Sequence, residues 1–434
     1  MKRGFYTIMS AQFFSSLADN ALFVAAVELL RAGGSPEWQR AALVPMFALF
    51  YVVLAPFVGA FADALPKGWV MFISNAIKIV GCIMMLFGSH PLVAYAVVGL
   101  GAAAYSPAKY GILTELLPTS QLVKANGWIE GLTIASIILG LLLGGQLVGH
   151  KLSGLLLQFD LPLIDTGVNT PAEAAIAALI AVYAVAAWFN LRIPHTGVEM
   201  RPLRRTVQSG ALASALALVP DFWSCNARLW RDCLGQISLS TTTLFWGASS
   251  NLKLIVLVWA GVALGYSTTQ ASALIGVVAV GTAAGAVLAS MRMRLECATR
   301  VIPMGIAMGV LLIVMIFIHS IWLAVPFLIV LGGLGGFLVV PMNALLQHRG
   351  HNLMGSGRSI AVQNFNEQAA TLGMGAFYSL SLKLGLSVFG AIAVFGLVVA
   401  GAMWLIQRWH QYNCRHHTEE LEHLLQIARQ DTHV

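Results

Sequence analysis

Twelve apolar stretches separated by short polar breaks constrain this chain more than any other feature, because about 20 mostly apolar residues make a helix that crosses the hydrocarbon core of a bilayer. They lie near residues 5–30, 41–62, 68–89, 91–114, 122–148, 172–193, 236–263, 268–290, 300–320, 322–346, 357–383 and 386–409. Of 434 residues, 58% are hydrophobic and only 10% charged, with mean hydropathy +0.79. Soluble domains carry about 25% charged residues. The pattern predicts an all-α integral membrane protein with twelve transmembrane helices.

The loops set the orientation, since Lys and Arg are retained on the cytoplasmic side. With both termini inside, eighteen of the 25 Lys and Arg residues fall in cytoplasmic segments, four (Arg31, Arg40, Lys151, Lys383) in external loops and three (Lys78, Lys109, Lys253) inside spans. The net charge of +7 is thus a topology signal and points to no nucleic-acid partner. The N-terminal run after "MKR" is too long for a signal h-region and reads as an uncleaved first helix. Five scattered cysteines show neither a disulfide framework nor metal spacing, and "CRHH" near the C-terminus reads as a solvated tail rather than a metal site. No GxSxG, no GK[ST] phosphate loop and no HExxH occurs, so the sequence shows no enzyme constellation and implies no cofactor.

The longest polar break, residues 194–235, divides the helices six and six. It contains "RPLRR" and then "SGALASALALVP", a basic cytoplasmic linker with a short interfacial helix. The expected domains are a six-helix bundle over 1–193, this linker, a second six-helix bundle over 236–410 and a cytoplasmic tail over 411–434. An internal repeat supports the division. At an offset of 234 residues, Pro107 aligns with Pro341, Lys109 with Asn343 and Asp19 with Lys253. After a three-residue adjustment Asn126 meets Gln363 and Glu130 meets Glu367. The small-xxx-small spacings of "GLLLGG" (Gly140, Gly144) and "GTAAG" (Gly281, Gly285) permit close helix approach, either between the halves or within one.

A charge at mid-membrane costs about 2.5–3.5 kcal/mol on insertion scales, so each such residue is a candidate site. Gln12 and Asp19 share one face of the first helix, with Asn20 beside them. Tyr105 and Lys109 flank Pro107 in the fourth. Asn126, Glu130 and Thr133 share a face of the fifth. Trp246, Ser249, Ser250 and Lys253 form a stripe in the seventh, and Asn343, Gln363, Asn366 and Glu367 add polar groups in the tenth and eleventh. Gln12, Thr133, Ser249 and Asn343 also serve as structural hydrogen-bonding glue. Asp19, Lys109, Glu130, Lys253 and Glu367 are the functional candidates, because uncharged residues would do a structural task more cheaply. Lys78 and Glu28 rank below them, Lys78 as a side chain that snorkels or pairs locally. Polar stripes on six helices imply a shared interior cavity.

Two six-helix halves joined by a basic loop resemble the major facilitator superfamily. "GAFADALPKGWVM" resembles that superfamily's Gly-x-x-x-Asp signature through Gly59, Asp63, Lys67 and Gly68, and departs from it by lacking an Arg soon after the Asp. More narrowly, "AQFFSSLADNALF", "GAAAYSPAKYGIL", "LVKANGWIEGLTIA", "TLFWGA", "VVPMNALLQ" and "AVQNFNEQAA" are similar to the bacterial lysophospholipid transporter family, over roughly residues 5–408. The resemblance implies a flippase that moves lysophosphatidylethanolamine and lysophosphatidylglycerol from the outer to the inner leaflet of the inner membrane, where a cytoplasmic acyltransferase would re-acylate them. It also implies that Asp19 and Lys109 are membrane-embedded functional charges.

The expected substrate site comprises Asp19, Asn20, Tyr105, Lys109, Glu130, Lys253, Asn343, Gln363 and Glu367. In it Lys109 and Lys253 attract the phosphate, while Asp19, Glu130 and Glu367 hold these cations when the site is empty. A lateral opening between the halves would leave the acyl chain among apolar helices. Gly59, Asp63, Lys67, Pro107 and Pro341 are the expected gating residues, with Asp63 binding helix ends in one gating state and the prolines locating bends. The expected protein is a monomer among membrane lipids. The competing readings are an exporter of small amphiphilic solutes and a lipid-binding scaffold that moves nothing. "TEELEHLLQIARQ" predicts a short amphipathic helix in the tail.

Overall fold

Lipid offers a backbone amide no partner, so a spanning segment must satisfy its own N–H and C=O groups, which a helix does. The computed structural model of the protein describes residues 3–35, 37–149, 170–194, 216–266 and 268–430, and among them the only regular elements are helices. In chain order these are α1 (Arg3–Ala32), α2 (Glu37–Val53), α3 (Ala55–Ala64), α4 (Lys67–Leu86), α5 (Pro91–Leu116), α6 (Thr119–Val148), α7 (Pro171–Leu191), α8 (Leu218–Arg231), α9 (Gly235–Ala263) and α10 (Thr268–Arg292). A 3-10 turn, Leu295–Val301, then leads into α11 (Ile302–Val314), followed by α12 (Ile321–Met354), α13 (Ser356–Lys383), α14 (Val388–His416) and α15 (Thr418–Gln430).

Ten helices among the described residues are long and apolar enough to cross a membrane, and α2 with α3 makes an eleventh. That span, expected as one helix over 41–62, is broken and bent by 68°. The cause lies at Pro56, near the start of α3, which lacks the N–H that would continue the ladder and disfavours helix at the residue before it. The remaining expected span forms α13, 28 residues long but too rich in Arg, Asn, Gln and Glu to qualify by composition. With it the long helices expected as spans come to twelve among the described residues.

Local signals place the ends. Thr170 and Glu173 form a reciprocal capping box at the start of α7, with Pro171 in the first turn. Gly355, at φ +91°, separates α12 from α13 in a conformation that a side chain would disfavour. Of the expected interfacial helix the described part is α8, from Leu218; "RPLRR" and most of "SGALASALALVP" lie outside the described residues, as does Lys151. The tail helix forms as α15.

Two compact units result. The first comprises Met1–Leu116, Ala135–Trp223 and Ser356–Ala361; the second comprises Leu117–Ile134, Ser224–Gly355 and Val362–Val434. The first is packed around small residues, including Ala18, Ala21, Ala25 and Ala175, with Leu22, Leu179 and Tyr183. A Cβ on Gly140 would lie 2.7 Å from the Leu17 carbonyl oxygen, and one on Gly144 2.7 Å from that of Ala21, so α6 touches α1 along its glycines. In the second unit, Gly281 and Gly285 of α10 meet the backbone of α12 at Ile329 and Gly333. Of the two readings of these small-residue stripes, contact within a unit is the one realised.

Candidate functional site

The packing of α1, α4 and α7 creates a buried polar centre in the first unit. Small residues at Ala18 and Ala21 let α1 approach closely enough for Asp19 to reach two neighbours. Lys78 Nζ, eleven residues into α4, donates to Asp19 Oδ2 at 2.8 Å and to Ser15 Oγ at 3.0 Å. Tyr183 of α7 donates its hydroxyl to Asp19 Oδ1 at 2.7 Å. Ser15 in turn donates its hydroxyl to Asn75 Oδ1 at 2.8 Å. The Lys78 ammonium also lies 5.0 Å from the Tyr105 ring centroid and 5.6 Å from that of Tyr183, within cation–π range.

This arrangement corrects two expectations. Lys78 neither snorkels nor pairs locally: its side chain is 1% exposed, and its carboxylate partner is 59 residues away in sequence. Asp19, expected to hold Lys109 or Lys253, holds Lys78 instead. Lys78 thus gives the Asp19 carboxylate a fixed cationic partner inside the helix bundle. The Asp19 side chain is 19% exposed, so it faces open space while Lys78 stands behind it.

Lys109 is buried on α5, with Nζ 4.1 Å from the Tyr110 ring centroid. The helix runs unbroken through Pro107. Asn20 turns its amide back to the Ser16 carbonyl at 2.8 Å, a local bond within α1.

In the second unit, Gln363 of α13 donates to Asn343 Oδ1 of α12 at 3.1 Å and to Glu367 Oε1 at 2.7 Å, joining three expected residues in one buried network. Pro341 lies inside α12, which is likewise continuous across it. Glu130 is buried in the middle part of α6. Asn126 and Gln347 exchange amide hydrogen bonds, both at 2.9 Å, so Asn126 meets a residue the repeat alignment did not pair with it. Lys253 departs from expectation: it is exposed, and no carboxylate holds it among the described residues.

A second charge cluster occupies the first unit where α3, α4, α5 and α13 begin or end. Asp63 Oδ1 accepts from the Gly357 N–H at 2.7 Å and Oδ2 from the Arg358 N–H at 3.0 Å, so its carboxylate caps the exposed donors of the α13 N-terminus. Lys67 bonds Asp63 at 2.9 Å and lies 3.4 Å from Glu115. Ser356 donates to Glu115 at 2.8 Å, and Arg358 Nε donates to Asp221 at 3.0 Å. Gly59 permits the approach, since a Cβ there would lie 2.8 Å from that of Ala361. Lys67 thus supplies the positive charge where the signature's Arg is missing. Glu115, Ser356 and Asp221 were not singled out in the sequence; the only local hint was that polar residues recur at helix ends.

The comparisons with known proteins bear on the family and the fold. The Major Facilitator Superfamily profile matches residues 8–366. The chain is 39% identical over 389 residues to the lysophospholipid transporter LplT of Yersinia enterocolitica, covering 89% of each chain, and equally so to that of Yersinia pestis. Among solved structures, the human organic anion transporter MFSD10 superposes with TM-score 0.69 at 14% identity, over 94% of this chain and 100% of that one. A bacterial homologue of the iron transporter ferroportin, in an outward-facing state, gives 0.68 at 15% identity, over 95% and 99%. At such identities these two structures speak to the fold alone.

Proposed function

Because the chain belongs to the Major Facilitator Superfamily and, within it, to the lysophospholipid transporters, we propose that it moves lysophosphatidylethanolamine and lysophosphatidylglycerol from the outer to the inner leaflet of a bacterial inner membrane. A cytoplasmic acyltransferase then re-acylates them. The protein acts as a monomer with both termini in the cytoplasm, and it transports without catalysing a reaction.

The observation that carries this reading is the buried charge centre of the first unit. A lysophospholipid brings one acyl chain and a phosphodiester, so its head group must exchange water for fixed charge inside an apolar helix bundle. A buried charge is tolerated only with a partner. Lys109 supplies the cation for the phosphate. Asp19, held by Lys78 and Tyr183, receives the ethanolamine ammonium or glycerol hydroxyls. Lys78 is a positioning residue, too deeply enclosed to touch the lipid itself. In the second unit the Asn343–Gln363–Glu367 network and Glu130 supply polar contacts, and Lys253 a further exposed cation. Occupancy changes which charges are satisfied, and that difference is what lets the substrate bias a conformational equilibrium.

Gly59, Asp63 and Lys67 form the gate. Two N–H bonds to an ionised carboxylate, each worth about 1.5–3 kcal/mol, hold the first turn of α13 in one state and are released in the other. Pro107 and Pro341 locate where α5 and α12 bend during that exchange.

The test uses purified protein in liposomes carrying fluorescent lysophosphatidylethanolamine in the outer leaflet. Transfer that accelerates with protein, and that unlabelled lysophosphatidylglycerol competes, supports the proposal. Uptake of unrelated amphiphilic solutes without lysolipid transfer would assign the exporter reading, and lysolipid binding without transfer the scaffold reading.

A further inference from the structure

We propose that Cys233, His417 and Glu420 form a site for a soft divalent cation, with Zn²⁺ the best match, that clips the tail helix α15 to the turn before α9. One ligand atom from each, the Cys233 Sγ, a His417 ring nitrogen and a Glu420 carboxylate oxygen, lies within 4.8 Å of the other two. Thiolate, imidazole and carboxylate together are a donor set that zinc takes, with bonds of about 2.0–2.3 Å and so ligand atoms about 3.5 Å apart in a tetrahedron. His417 Nδ1 and Glu420 Oε2 already lie 3.7 Å apart, and both residues are exposed at the start of α15. A fourth position faces solvent and is left to water.

The backbone around the site is already fixed. Asn413 of α14 donates to the Cys233 carbonyl at 3.3 Å, tying the turn to the end of α14. Thr418 donates to the Cys414 carbonyl at 2.8 Å, and the Leu421 N–H to the His417 carbonyl at 2.9 Å, setting the first turn of α15. Leu421 and Leu424 bury the apolar face of that helix. Asp232, next in sequence to Cys233, is engaged by Arg349 and does not join the ligands.

The histidines of "CRHH" look like solvated tail residues because their thiol partner lies 184 positions upstream of His417. A divalent cation replaces the Cys233 thiol proton: the S–H bond breaks, the proton leaves to water, and a metal–sulfur bond forms with no change of oxidation state.

The experiment titrates full-length, tag-free protein in detergent with Co²⁺ alone. It follows the thiolate-to-cobalt charge-transfer absorption, then displaces the cobalt with Zn²⁺. The expected result is one saturable site whose band is absent in Cys233→Ser and retained in Cys297→Ser and Cys414→Ser. The exposed His417→Ala and Glu420→Ala variants, whose folding is checked by size exclusion, should weaken binding by about tenfold or more. Zn²⁺ should also slow proteolysis after residue 417 in the wild type and not in His417→Ala. A band that survives Cys233→Ser, or one lost in Cys414→Ser, overturns the assignment. So does wild-type affinity in both tail variants.

Discussion

Replacing Lys78 by Met removes the cation while keeping most of the side chain's length, and so isolates the charge pair with Asp19. In the wild type the ammonium is 2.8 Å from the carboxylate, 3.0 Å from Ser15 and within 6 Å of two tyrosine rings. In Lys78→Met the carboxylate keeps only the Tyr183 hydroxyl among these partners. Removing one member of a buried pair costs about 3–5 kcal/mol, because the other charge is left uncompensated. Asp19→Asn keeps the shape and still accepts from Tyr183, so adding it to Lys78→Met removes the stranded charge. The double variant should therefore be more stable than Lys78→Met alone, with a coupling energy of about 2–3 kcal/mol. Unfolding in mixed micelles of rising dodecyl sulfate fraction, followed by the fluorescence of the 11 tryptophans, measures all four corners of the cycle. Lys78→Met within about 0.5 kcal/mol of wild type would refute the reasoning, since surface substitutions fall in that range. Coupling of Asp19→Asn to Lys109→Met in place of Lys78→Met would refute it as well.

Gly59→Val should lower transport strongly, because its side chain meets Ala361 and the Arg358 backbone; lysolipid transfer in liposomes checks it, and Gly88→Ala, at an open turn, is the control for expression. Asp63→Asn leaves the amide unable to offer two anionic acceptors to the α13 N-terminus, so amide hydrogen exchange at residues 357 and 358 should quicken while the other helix termini stay unchanged. Asn126→Ala and Gln347→Ala should each destabilise by about 1–3 kcal/mol, and their double variant by less than the sum, because each single change orphans the other buried amide. Gly285→Leu should prevent assembly of the second unit, seen as loss of the folded peak in size exclusion, because α10 meets the Gly333 backbone there.

The spans were legible because lipid imposes a length and a composition on any segment that crosses it, and α13 was read among them although it is rich in Arg, Asn, Gln and Glu. The break at Leu54 was less so: hydropathy runs smoothly across it, and only Pro56 marks the bend. Asp19 and Lys109 stood out in the sequence because their insertion is expensive. Lys78 was equally expensive, but a lysine reads as snorkelling until its partner is known, and that partner is set by the packing of α1 against α4 and α7. Lys253 shows the converse. Asp19, Glu130 or Glu367 was expected to hold it, yet position in a repeat fixes the helix face without fixing what faces it. Asp63 was found through a local signature, whereas Asp221, 158 residues on, and Ser356 and Arg358, about 290 residues on, join it only because the chain returns to that place.

The central claim is that Lys109 and Asp19 act on the head group of a single-chain phospholipid. Its most direct test is the initial rate of leaflet-to-leaflet transfer of lysophosphatidylethanolamine and lysophosphatidylglycerol in liposomes containing wild type, Lys109→Ala or Asp19→Asn, each verified as folded. Lys109→Ala should slow both lipids by about tenfold or more, and Asp19→Asn should slow the ethanolamine lipid more than the glycerol one. Wild-type transfer of both lipids by folded Lys109→Ala protein would contradict it.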